Sequence, residues 1–119
     1  MNPMLRVTAA VLILVPPLAL PTDARADQQV LWGYGVRACS DFLAAKTAGD
    51  GGDSAEYQRY EDWLTGFISG LNLALGEDVL RGSGIESAMR RAGAECEAKP
   101  DDDFFNAAMR FVQTLSTLR

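Results

Sequence analysis

The sequence of 119 residues contains no histidine. Histidine is the most frequent general base in enzymes, a common metal ligand, and the side chain whose ordinary pKa of about 6.5 makes it a switch near neutral pH. Without it, the serines of this chain have no imidazole to activate them as nucleophiles. Any response to pH must therefore come from carboxylates, whose ordinary pKa is about 4.

Lysine is nearly as scarce, since Lys46 and Lys99 are the only two in the chain. The glycine clusters match neither a phosphate-binding loop nor a dinucleotide-binding fingerprint. Glu61 and Asp62 resemble the paired acids of a glycosidase, but they fit a solvated helix face better. The sequence therefore predicts a protein that is not an enzyme and that binds no cofactor and no metal.

The first 26 residues have the three parts of a secretory signal peptide. Arg6 gives a positive start, residues 7–20 form an apolar run, and the Ala-Arg-Ala sequence ending at Ala26 is the pattern that signal peptidase cleaves after. The apolar run is too short, and too interrupted by proline, to span a bilayer permanently. We therefore expect cleavage after Ala26 and a single periplasmic domain at residues 27–119, with no stable membrane insertion.

Acidic residues outnumber basic ones, with 16 Asp and Glu against 11 Lys and Arg and a net charge of −5. The charge becomes −6 without residues 1–26, because Arg6, Arg25 and Asp23 leave with the leader. An acidic chain without a basic stripe argues against binding to nucleic acid or to anionic membranes. The expected partners are therefore proteins, either clients or one specific partner, and a homodimer is a further expectation.

The two cysteines, Cys39 and Cys96, both follow the leader. In an oxidising compartment they should pair, and two cysteines allow a single connectivity. A pair of free or metal-binding thiols is the alternative. Closing a loop of this length stabilises a fold by roughly 4 kcal/mol in the chain-entropy model, which is comparable to the whole net stability of a small domain.

Apolar residues recur at spacings of three and four, which is the pattern of helices buried on one face. The predicted helices are residues 36–47, residues 54–75, a segment from Ser83 or Gly84 to Cys96, and a segment that begins at Asp101. A glycine-rich loop is expected at residues 48–53, and Ser54 and Asp101 are expected to cap the helices that they precede. The sequence thus predicts an all-α four-helix bundle stapled by one disulfide.

Two glycines in the second predicted helix, Gly66 and Gly70, form a narrow stripe with Ala74. Each glycine costs a helix about 1 kcal/mol, so the pair requires a reason. We expect the first or the fourth helix to pack closely against this stripe. Docking of a ligand or of a partner is the alternative.

Aromatic residues are the one feature in excess, and five of them are candidates for a surface that binds clients or a partner. Tyr60, Trp63 and Phe67 lie on one face of the second predicted helix. Trp32 and Tyr34 lie outside the helical pattern, and we expect them to be exposed contact residues.

The segment Cys-Ser-Asp-Phe-Leu-Ala that begins at Cys39 resembles the Cys-x-Asp-Phe-Leu segment that opens the first helix of the HdeA/HdeB acid-stress chaperones. Residues 77–96 resemble the stretch before the second cysteine of that family, and the order of helices and cysteines is also similar. The resemblance implies an HdeA-like fold, a dimer at neutral pH, and a response to acid stress that exposes apolar surface to unfolding clients. The surface expected to be unmasked includes Tyr60, Trp63 and Phe67.

Residues 63–70, with the sequence Trp-Leu-Thr-Gly-Phe-Ile-Ser-Gly, resemble a second group. These are small disulfide-bonded periplasmic helical proteins that include type VI secretion immunity proteins, which usually carry a second disulfide that this chain lacks. The alternative function is therefore a periplasmic module that binds and neutralises one protein partner at neutral pH.

Overall fold

A computed structural model of the chain describes residues 30–117, together with residue 3, residues 9–15 and residue 17. The predicted cleavage site after Ala26 and the expected start of the domain lie outside these residues, so the leader stays a prediction. Within the described part the chain has four α-helices, one 3-10 helix and no strand. The prediction of an all-α fold with four helices is confirmed.

The chain enters the fold through the 3-10 helix Gly33–Val36, and we call residues 30–37 the arm. The four α-helices that follow are α1 (Cys39–Asp50), α2 (Ala55–Leu75), α3 (Gly84–Ala98) and α4 (Phe104–Thr117). α3 and α4 pack on each other most extensively, and α1 contacts all three other helices. Among the residues described, no helix combines the length and the apolarity that a membrane span requires.

The break between α1 and α2 is shorter than the sequence predicts. α1 continues to Asp50, so half of the predicted loop is helical. The N–H of Gly51 donates to the carbonyls of Thr47 and Ala48, both at 3.1 Å, which carries the helical bonding to the end of the segment. Gly52, with φ of 102°, then turns the chain in a conformation that favours glycine.

The two predicted helix caps have different outcomes, since Ser54 occupies the cap position of α2 and Asp101 does not cap α4. Ser54 precedes α2, but its hydroxyl makes no capping bond, and the N–H of Ala55 donates to an Asp53 carboxylate oxygen at 3.4 Å. α4 begins at Phe104, so its cap is Asp103 and not Asp101. The Asp103 carboxylate accepts the N–H of Asn106 at 2.8 Å, because a side chain directly before the first helical residue reaches that donor.

The disulfide joins Cys39, the first residue of α1, to Cys96 near the end of α3, across a sequence separation of 57. Both cysteines are 0% exposed and belong to the same buried core as Phe42 and Phe104. The predicted pairing is confirmed, and the alternative of free or metal-binding thiols is wrong.

The residues before α1 pair with those before α4. The N–H of Cys39 donates to the carbonyl of Asp102 at 2.8 Å, and the N–H of Phe104 donates to the carbonyl of Arg37 at 3.0 Å. These bonds make an isolated antiparallel bridge between Ala38 and Asp103. The inner end of the arm is therefore tied to the connection between α3 and α4.

Replacing both cysteines with alanine should lower the free energy of unfolding by about 4 kcal/mol, because the open chain regains its loop entropy. Urea unfolding of the wild type and of Cys39→Ala/Cys96→Ala, each with and without reductant, measures the loss. Reductant should destabilise the wild type alone. An equal response of both proteins would contradict the cross-link.

Candidate functional site

Aromatic side chains from the arm, α1, α2 and α4 form one connected cluster. Neighbouring ring centroids lie between 4.6 and 5.9 Å apart. The members are Tyr34, Phe42, Tyr57, Tyr60, Trp63, Phe67, Phe104 and Phe105. The rings of Tyr60 and Phe104 are buried at its centre, whereas Trp63 and Phe67 lie at its partly buried edge.

The arm covers part of Trp63 with backbone. The Trp63 Nε1–H donates to the carbonyl of Trp32 at 2.9 Å. A Cβ added at Gly35 would lie 2.0 Å from Cζ2 of Trp63, so the indole is in direct contact with the backbone of the arm. Only glycine fits at this position, because any side chain would push the ring away. The part of Trp63 that faces the arm is therefore covered only by the backbone of the arm, and it becomes exposed if the arm moves away.

Tyr34 fastens the arm to α2. Its ring meets that of Tyr60 edge-on at 4.8 Å, and its hydroxyl donates to the Glu56 carboxylate at 3.1 Å. The Arg37 guanidinium lies 4.1 Å from the centroid of the Tyr34 ring and 3.7 Å from the Glu56 carboxylate. Tyr34 is therefore partly buried and occupied by internal contacts, which corrects the expectation that it is an exposed contact residue.

The other predicted surface residues differ in exposure. Trp32 is 80% exposed, whereas Tyr60 is 1% exposed, so its side chain is not accessible to a client or to another protein in this state. Trp63 and Phe67 stack at 5.2 Å with an interplanar angle of 13°. Together with Trp32 they line an open depression of about 450 Å³ that also includes Val30 and Gly66. In this state the candidate surface is this depression.

The expected close packing at Gly66 and Gly70 is wrong. A Cβ built at either glycine would meet no heavy atom within 4 Å, so neither α1 nor α4 lies against them. The physical reason is that α2 buries the face formed by Tyr60, Leu64 and Ile68, and the two glycines lie on the opposite face. Small residues at a spacing of four do not tell which face of a helix is covered.

The exposed face of α2 has an apolar residue that sequence reasoning missed. Leu73 is 87% exposed, and Leu75, which the spacing places on the buried face, is 60% exposed. Residues 63–76 contain no charged side chain, although the chain as a whole is acidic. That absence of charge over 14 residues is the sequence signal that would have marked this face.

Charged side chains make their most buried contacts between α3, α4 and the connection that joins these two helices. The Arg110 guanidinium donates to the carboxylates of Glu95 and Asp102. The N–H of Asp103 and the Arg110 guanidinium hold the pKa of Asp102 below its ordinary value of 3.8. Within the described residues, no three Cys, Asp or Glu side chains form a group able to hold a metal ion.

Alanine at both Gly66 and Gly70 should raise the free energy of unfolding, by about 1 kcal/mol for each glycine, because the added methyl groups meet open space and improve helix propensity. Alanine at Gly35 should lower it by about 1–3 kcal/mol, because Trp63 has to move. Urea unfolding of the three proteins measures both effects. A loss of stability in Gly66→Ala/Gly70→Ala would show that a neighbouring element does pack there.

No family model matches this sequence, and no curated protein and no solved structure matches it either. The resemblance to the HdeA/HdeB chaperones and the alternative resemblance to immunity proteins therefore stay predictions from the residues that carry them.

Proposed function

We propose that this chain is an exported, non-enzymatic protein of the periplasm that binds unfolding client proteins during acid stress, as an HdeA-like chaperone. The observation that carries the proposal is the aromatic cluster that reaches the surface at Trp63 and Phe67 under a thin cover. Large apolar surface is what an unfolding client binds, because burying it releases ordered water. The buried disulfide is compatible with an oxidising compartment.

The arm provides a way to expose this surface without dismantling the helices. Its contacts with α2 are the bond from Trp63 to the carbonyl of Trp32, the backbone of Gly35 against the indole, and the contacts of Tyr34 with Tyr60 and Glu56. If the arm detaches, the outer face of Trp63 and the edge of Tyr60 become accessible. The cluster then offers adjacent aromatic rings to a client.

Acid supplies the driving force. Protonation of the 15 Asp and Glu carboxylates that remain without residues 1–26 leaves the charges of 9 Lys and Arg residues unopposed. Self-repulsion then loosens the packing of a small domain, and ion pairs that hold the helices are lost. The disulfide between α1 and α3 limits the expansion, so the chain can regain its fold when the pH rises.

At about pH 2–3, below the ordinary pKa of carboxyl groups, the mature protein should bind a hydrophobic dye and suppress the aggregation of an acid-denatured client. Phe67→Ser should reduce the protection several-fold, because it removes a ring from the edge of the cluster. Leu73→Ser is the matched control, since it removes an equally apolar but remote side chain. Light scattering measures aggregation, and absence of both dye binding and protection in the wild type would end the proposal.

A second candidate function is a module that binds one protein partner at neutral pH, such as a type VI effector immunity protein. The observation that favours it is Trp32, whose indole is 80% exposed while its carbonyl is held by Trp63. A tryptophan in a fixed position is a typical interface hot spot. Residues 63–76, which include the exposed Leu73 outside the depression at Trp32, carry no charged side chain.

If this second function is correct, the protein should recover one stoichiometric partner from cell envelopes at neutral pH, and Trp32→Ala should weaken that binding at least tenfold, by about 1.4 kcal/mol or more. Val36→Ala, which truncates another exposed apolar residue of the arm, is the control and should bind normally. Equal binding by Trp32→Ala and the wild type would exclude Trp32 as the anchor.

A further inference from the structure

The least exposed ion pairs in the described part of the chain are those of Arg110 on α4. Its Nε donates to a carboxylate oxygen of Glu95 on α3 at 2.8 Å, and its Nη1 donates to the carboxylate of Asp102 in the connection between these helices. All three side chains are partly buried, so solvent screens them less than it screens the other ion pairs.

The remaining groups around the Asp102 carboxylate come from the same connection and from α4. The N–H of Asp103 donates to the carboxylate at 2.9 Å. Among the neighbouring charged residues, Lys99 and Asp101 are exposed, and the partly buried Asp103 carboxylate is bonded to Asn106. Asn106 on α4 also favours the charged form of Asp102, and α1 contacts Asp102 through its main chain, where the N–H of Cys39 donates to the Asp102 carbonyl. Arg110 is therefore the one cation that binds this carboxylate among the described residues.

The main chain around Asp102 holds the inner end of the arm. Its carbonyl accepts the N–H of Cys39 at 2.8 Å, and two residues later the N–H of Phe104 donates to the carbonyl of Arg37 at 3.0 Å. Arg37 is the last residue of the arm, and its N–H donates to the carbonyl of Tyr34. The position of the arm over Trp63 therefore depends on where the connection between α3 and α4 is held.

The charge on Asp102 stabilises this arrangement only above a certain pH. Because the N–H of Asp103 and then Arg110 hold the pKa of Asp102 below the ordinary 3.8, the folded state favours the carboxylate more than the unfolded state does. The stabilisation is complete above the ordinary pKa and is lost as the pH falls through the lower pKa of the folded state. The contact therefore survives mild acid and is lost in strong acid.

We propose that the ion pair of Asp102 and Arg110 is an acid-sensitive clamp on the arm. Protonation of Asp102 frees the connection between α3 and α4, the arm detaches from α2, and the outer face of Trp63 becomes accessible while the helices persist. The biological role of this clamp rests on the proposed chaperone function. Its existence, however, can be measured on the protein alone, without a client.

The experiment uses Trp63 as its own reporter. The chain has two tryptophans, and Trp32→Phe leaves Trp63 alone in a background where the replaced side chain was exposed. Acrylamide quenching of Trp63 and far-ultraviolet circular dichroism are followed from neutral pH to strong acid. In this background, quenching should at least double as the pH falls below 3.8, before the helical signal is lost.

Adding Asp102→Asn should remove that acid step and raise quenching at neutral pH, because the amide forms no ion pair with Arg110. Adding Asp101→Asn, the same change at the exposed neighbour, should leave the profile of the background unchanged. If Asp102→Asn does not fold, Arg110→Lys replaces it, and its acid step should move to higher pH. An unchanged acid step in the variant used, or quenching that rises only together with loss of helix, would overturn the clamp.

The result separates the clamp from the chaperone function. Protection of a client by the wild type, with an acid step at Trp63 that Asp102→Asn leaves unchanged, would overturn the clamp alone. An acid step that Asp102→Asn removes, with no protection of a client at any pH, would support the clamp and overturn the chaperone function.

Discussion

The buried disulfide between Cys39 and Cys96 is the constraint on which the other contacts depend. It fixes the start of α1 against the end of α3, and α2 is enclosed in the loop between them. A domain of this size buries a modest share of its surface, so a covalent link that restricts the unfolded chain contributes a large part of its stability. The disulfide and the rings at the centre of the aromatic cluster, including Phe42 and Phe104, belong to one buried core.

The arm that covers the candidate surface is held on these helices by weaker contacts. The arm rests on Trp63 through the backbone of Gly35 and one hydrogen bond, and Tyr34 adds a ring contact and a bond to an exposed carboxylate. Exposed ion pairs contribute little, about 0–1 kcal/mol each, so the arm is the part that a modest change in charge can displace. A binding surface that is exposed only under some conditions requires this difference between stably linked helices and a weakly held arm that covers them.

The parts of the fold that follow from local spacing could be predicted, and those that depend on distant contacts could not. The helices and the disulfide follow from apolar periodicity and from the compartment that the leader implies. The open position of Gly66 could not be predicted, because periodicity gives the faces of a helix but not which face is covered. The contact between Gly35 and Trp63 joins residues far apart in sequence. The pairing of Asp102 with Arg110 joins a connecting segment to the helix that follows it, and helical periodicity does not describe such a contact.

The position of the disulfide also divides the chain topologically. Its loop contains α1, α2 and most of α3, while the arm and α4 lie outside it, one on each side. These two segments meet where residues 37–39 pair with residues 102–104. Detachment of the arm leaves the covalent ring closed, so α2, on which the arm rests, stays joined to α1 and α3. The arm then returns to a surface that is already assembled, which is less demanding than folding the chain anew.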